Sequence, residues 1–274
     1  DKHYSASIKQ MKAFNMENSI QLNVQNHQRC QNLMGLNRDP VVLTGRVMDE
    51  KETISSLQES GNFVALTVLY ITKMDLALHF EAYNIVEELL PYIEKRRGIL
   101  NGHISQYGVM HMLGQAYLCL YRKTGKRQYK KRGMGVIKTL EGWKKQKCAS
   151  TQHHCDDVLG FLQAEVLPQQ RNIDLKVLQD AWDDCIKVQE DSDNLMRLGL
   201  ANERAAGAFR EKGSFDTAAQ YAREAIDAYE RLDADAKVKF LRRKYYEILR
   251  STQETPFEEE EAKEEEGAFI EELY

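Results

Sequence analysis

The sequence predicts an all-α protein, an antiparallel helix-pair solenoid with a tetratricopeptide-like superhelix. Three observations predict it. Only four prolines and sixteen glycines occur in 274 residues, and long stretches lack both; proline breaks the helical ladder and β-rich folds need many turns. Apolar residues recur at helical spacing nearly throughout. Short turns divide the periodic segments into successive helix pairs, the mark of a solenoid.

Residues 1–36 read as an N-terminal unit, one long helix from about Ser5 to Met34 with Ile8, Met11, Phe14, Ile20, Val24 and Cys30 on its core face. Asn37-Arg38-Asp39-Pro40 then forms a loop, because proline disfavours helix in the residue before it. The repeat domain covers residues 37–250. Helix returns at about Asp49, and four pairs follow: Asn62 to Leu76 with Leu78 to Arg97, His103 to Arg122 with Arg127 to Lys147, Thr151 to Leu167 with Asp174 to Asp191, and Asn194 to Glu211 with Phe215 to Leu232. A last helix, Ala234 to Leu249, caps the array.

The fourth pair carries the sharpest repeat signal. Ala206, Phe209, Gly213, Phe215, Ala218, Ala222 and Ala225 fall at tetratricopeptide spacing. The small residues Ala206, Ala218 and Ala225 let two helices approach closely, and Phe209 and Phe215 are expected to fill the wedge between them. Gly213 suits the left-handed residue that ends a helix, and Ser214 suits the cap of the next. The proline that usually ends such a repeat is replaced by Glu230.

Composition bounds the function. Apolar residues make up 42% and charged residues 29%, enough for a core and a solvated surface, and the net charge of −4 gives no global pull toward nucleic acid. Five cysteines, Cys30, Cys119, Cys148, Cys155 and Cys185, form no CxxC and read as reduced thiols of a cytoplasmic protein. No apolar run is long enough for a membrane span and no signal peptide is recognisable. A chain that begins at Asp1 reads as a piece of a longer one.

No phosphate-binding loop, GxSxG, GxGxxG or HExxH is present, so no catalytic residue and no cofactor is predicted. Asp156-Asp157 and Asp183-Asp184 lack the third acid that a magnesium-binding aspartate cluster needs. Cys148, His153, His154 and Cys155 suggest zinc, but adjacent residues on a helix point about 100° apart and cannot all converge. His153 and Asp157 alone share a face, and Cys155 is expected to face the core.

Residues 122–147 hold eleven Lys or Arg against the single Glu141. Arg122, Lys123, Lys126, Arg127, Lys130, Lys131 and Arg132 make the candidate interaction patch, with Tyr121, Tyr129 and Trp143 interleaved. A solvated helix face, contact with an acidic partner or with the chain's own acidic tail, and nucleic-acid binding compete for this run; the acidic balance of the chain disfavours the last. Residues 251–274 carry ten Glu and one Lys, a self-repelling block expected to be disordered.

Leu200-Ala201-Asn202-Glu203-Arg204-Ala205-Ala206, continued through Gly213, Ala218, Tyr221, Ala225 and Tyr229 and closed by Ala234-Asp235-Ala236-Lys237-Val238 and Leu241, resembles the end of the helical region in STAND-class signalling ATPases. Leu232-Asp233 stands where that family has Trp-Gly. Gln31-Asn32-Leu33-Met34-Gly35 with Asp39-Pro40 and Leu43-Thr44-Gly45, then His153-His154 through Ala164-Glu165, and Ala181 to Ile186 extend the likeness over roughly Gln28 to Leu249. In that family the region follows an AAA-like ATPase, often between a serine/threonine kinase and a histidine kinase. The resemblance implies a sensing or scaffolding solenoid that binds a protein partner or the adjacent ATPase or kinase domain. The alternatives are a free-standing adaptor and a nucleic-acid-associated STAND-type transcription regulator.

Overall fold

Four helix starts are set by side chains that accept orphan backbone N–H groups. Asp49 accepts from Glu52 N, Asn62 from Ala65 N, Asp174 from Lys176 N and Asn194 from Arg197 N. Each lies where the sequence places a helix start, and each cap is worth about 1 kcal/mol. The computed structural model describes residues 2–96, 98, 105–146 and 152–252, and among them it holds thirteen α-helices and no strand. They are α1 Lys2–Ala13, α2 Glu17–Leu33, α3 Glu50–Glu59, α4 Phe63–His79, α5 Tyr83–Arg96, α6 Ser105–Thr124, α7 Arg127–Lys145, α8 Gln152–Val166, α9 Leu175–Asp191, α10 Leu195–Glu211, α11 Phe215–Glu230, α12 Asp235–Lys244 and α13 Tyr246–Ser251. The four expected pairs are present: α4 packs on α5, α6 on α7, α8 on α9 and α10 on α11.

The N-terminal unit departs from expectation. It is two helices, not one long helix, because Asn15 takes a left-handed φ of 53° between them. Phe14, expected in the core, is 71% exposed at that break. The buried face of α2 is largely polar: Gln25, His27, Gln28, Gln31 and Asn32 lie inside beside Ile20 and Leu33. Part of the reason is the irregular segment 34–49, whose backbone is satisfied in part from α2, and part is the start of α4. Asn32 donates to Pro40 O at 3.0 Å and Val42 O at 2.8 Å, and Gln25 donates to Ala65 O at 3.1 Å. The capping helix is also divided, at Tyr245, whose ring is buried and whose hydroxyl donates to Glu203 O at 3.2 Å.

Stretches of α4, α6 and α10 are enclosed on every side. Consecutive residues Leu76 to His79, His111 to Leu120 and Gly199 to Ala206 are all buried. An amphipathic surface helix buries only a stripe; unbroken burial requires neighbours all round. Around α4 and α10 those neighbours include elements from both ends of the helix array. The helix α12 packs on α2, and the backbone of Ala236 lies 3.5 Å from where a Cβ on Gly35 would sit. Phe80, after α4, meets Phe240 of α12 edge to face at 5.7 Å. Lys237 donates to His79 O, and Lys244 pairs with Glu81 at 2.6 Å. The two ends of the helix array therefore meet, and its inner helices form the core.

Candidate functional site

The predicted repeat-packing residues divide in one respect. Ala206, Ala218 and Ala225 are fully buried between α10 and α11, and Phe209 stacks on Tyr221 with ring centroids 5.5 Å apart. Gly213 takes the expected left-handed φ of 78°. Phe215, by contrast, does not fill the wedge. It is the first residue of α11, faces outward and is 52% exposed, and Tyr221 takes its place beside Phe209. Ser214 stands at the N-cap, but its hydroxyl donates to Thr217 Oγ1 instead of accepting a backbone N–H.

The seven predicted basic residues differ in their pairing and in the surface they face. Arg122, near the end of α6, turns inward and donates to the fully buried Glu165 of α8 at 2.7 Å. Lys126 pairs with Glu87 at 2.8 Å and Arg132 with Glu94 at 2.5 Å, both carboxylates of α5. Arg127, Lys130 and Lys131 remain exposed on the outward face of α7, continued by Met134 and Lys138. Two of the three interleaved aromatics point the other way, while Lys130 lies over the third, the half-buried Tyr121 ring, at 5.3 Å. Tyr129 is buried and bonds Glu87 at 2.6 Å, and Trp143 packs edge-on against Tyr107.

A second feature went unread in the sequence. Around the C-terminal ends of α4, α6 and α10 lies a half-open cleft of about 290 Å³. Arg122, Lys123, Arg204, Arg210 and Lys244 line it with Glu81, Glu203 and Glu211; Tyr83, Cys119 and Gly207 complete the wall. Glu203 is the electrostatic pivot. Lys237 reaches its Oε2 at 2.8 Å and Lys244 its Oε1 at 3.5 Å. Burial opposes charge on Glu203, but Lys237, Lys244 and Arg204 outweigh it and hold the carboxyl down to about 2. Burial likewise draws Lys237 down to about 8 against the pull of Glu203. Lys237 also lies over the Phe240 ring at 4.6 Å, near those of Phe80 and Tyr229. Burial raises the Tyr83 phenol well above its usual range, so it is a neutral donor.

Arg204 is the least satisfied group of the cleft. It is 4% exposed, yet its sole hydrogen bond runs to Leu78 O at 3.4 Å. Its Nε lies 3.4 Å from Glu165 Oε1 without hydrogen-bond geometry. Glu203 and Arg204 stand in the Leu200–Ala206 run, where two charges among small residues on a buried helix were the available signal.

Most of the residues weighed for metal are engaged elsewhere or lie outside the described residues, while Asp184 is exposed. Cys148 is one of the latter, and nothing is described of the His153 side chain. Cys155 faces the core and donates to Leu140 O at 3.3 Å. Asp157 accepts from Gln189 and Arg197, Asp156 pairs with Lys144, and Asp183 accepts from Tyr221. Among the described residues, no helix is long and apolar enough to cross a membrane. Comparisons with protein-family models, curated proteins and solved structures gave no match.

Proposed function

We propose that this chain is a non-catalytic, protein-binding regulatory domain of a multidomain signalling ATPase or kinase, and that it takes an acidic segment of its partner on the outward face of α7. The observation that carries this reading is the exposed stripe of Arg127, Lys130, Lys131 and Lys138, set on a helix whose apolar face is anchored by Tyr129, Val136, Ile137 and Leu140. A rigid row of like charges, held with no ion pair of its own among the described residues, attracts an acidic surface and steers its approach. The parent architecture rests on the resemblance of residues 200–241. Free, mostly buried thiols suit a reducing, cytosolic compartment.

Fluorescence anisotropy of a labelled Glu-rich peptide against the full chain tests the proposal. Binding should be saturable, weaken with salt, and fall at least tenfold in a Lys130→Glu, Lys131→Glu variant. No binding, or equal binding by the variant, would overturn it. A chain ending at Thr252 identifies the occupant: tighter peptide binding after truncation means that the acidic residues 253–274 compete for the same face. Competition by duplex DNA but not by the acidic peptide would favour the nucleic-acid reading instead.

A further inference from the structure

We propose that the cleft at the ends of α4, α6 and α10 is a binding site for a small oxyanion-bearing molecule, a phosphate monoester being the chemistry that fits best. The argument is independent of the acidic-partner reading, because it uses a different surface. Five cations and three carboxylates line the cleft, and the carboxylates are largely spoken for. Glu203 is held by Lys237 and Lys244, and Glu81 by Lys244.

The guanidiniums, in contrast, keep donors in reserve. Arg122 spends Nη2 on Glu165 and the Cys119 sulfur. Arg210 spends Nη1 on Lys244 O, with its plane over the Tyr245 ring at 5.0 Å. Arg204, almost wholly buried, makes the single 3.4 Å bond described above and faces Glu165 Oε1 with its Nε at 3.4 Å, without hydrogen-bond geometry. A guanidinium presents five N–H donors in a planar fork that matches phosphate or carboxylate oxygens. A buried one with a single hydrogen bond keeps N–H groups that an oxyanion in the cleft can take.

Cations near a helix C-terminus also answer the helix dipole, which accounts for Arg122, Lys123 and Arg210 in the last turns of α6 and α10. It does not account for Arg204. That residue stands seven positions before the end of α10, beyond the reach of a terminal effect. The volume exceeds what a bare ion needs, since about 290 Å³ is roughly ten times a water's share of liquid volume. Tyr83 offers a neutral hydroxyl, and Glu211 and Glu81 offer acceptors for hydroxyl groups attached to the phosphate.

The test is calorimetric titration of the full chain with inorganic phosphate, and then with ribose 5-phosphate, at constant ionic strength. Expected is saturable binding of both, tighter for the ester. Lys123→Glu, an exposed change at the cleft mouth, should weaken it at least tenfold. Lys131→Glu, on the outward face of α7, should leave it within twofold. Arg204→Lys should weaken binding more than Lys123→Glu, because the ammonium keeps the charge and loses the fork; it is read only where its circular dichroism matches the parent. The absence of a saturable heat, or equal losses in Lys123→Glu and Lys131→Glu, would overturn the proposal. Chloride producing the same signal would do so as well.

Discussion

Replacing Glu203 by Gln removes the one carboxylate that compensates Lys237, a cation with no exposed surface. The magnitude follows from the two partners. Holding Glu203 at about 2 instead of its ordinary 4.5 is worth about 3 kcal/mol at ~1.4 kcal/mol per pH unit. Drawing Lys237 from 10.5 to about 8 costs a similar amount, about 3 kcal/mol. Breaking the pair leaves an uncompensated buried charge, for which about 3–5 kcal/mol is usual. Urea denaturation at pH 7, followed by circular dichroism, should show Glu203→Gln losing that amount. Lys237→Met should lose less, because Lys244 and Arg204 still face Glu203. The double variant should be more stable than Glu203→Gln alone. The signs with pH are fixed too. The stability due to Glu203 is present above pH 4.5 and is lost as pH falls through about 2, a loss that Glu203→Gln lacks. As pH rises from about 8 toward 10.5, the folded chain sheds the Lys237 proton before the unfolded chain does, so this group's contribution to stability rises. A cost below about 1 kcal/mol for Glu203→Gln, or a double variant that loses the sum of the two singles, would refute the reasoning.

Three further changes probe the packing. A Cβ at Gly199 would lie 2.9 Å from the fully buried Tyr229 ring, so Gly199→Ala should cost about 1–3 kcal/mol in the same assay. Ala218→Leu should cost about as much, since Ala218 has no exposed surface between α10 and α11; an unchanged melting temperature would speak against that packing. Asp233 holds a left-handed φ of 54° where the resembled family has glycine, so Asp233→Gly should be neutral or stabilise by up to about 1 kcal/mol, and a clear drop in melting temperature would contradict this.

The helices were legible because their signals are local. Asp49, Asn62, Asp174 and Asn194 cap the helices whose starts the sequence predicts, and Ala206, Ala218 and Ala225 pack as their size dictates. What stayed hidden depends on partners distant in the chain. Phe215 carries the right chemistry for a wedge, but the direction of α11 points it to water. The polar residues of α2 read as a solvated face, because their use, holding the carbonyls of residues 40, 42 and 65, exists only after folding. Lys237 shares the apolar face of Ala234, Val238 and Leu241, and what holds its charge there comes from distant residues. Its carbonyl partner, His79, is 158 residues away. The basic run divided for the same reason: Glu87, Glu94 and Glu165, which claim three of its members, come from other helices.

The meeting of the two ends makes the inner helices core and leaves the cleft and the face of α7 as the two surfaces on which binding is proposed. A Gly35→Cys, Ala236→Cys variant tests it most directly. The Cβ positions would lie 3.7 Å apart, within the roughly 3.5–4.5 Å that a disulfide spans. Mild oxidation followed by non-reducing electrophoresis and peptide mapping should give a monomer bridged between positions 35 and 236, restored by reductant. Recovery of only intermolecular dimers, or of bridges from either new cysteine to Cys30 alone, would contradict the closed arrangement.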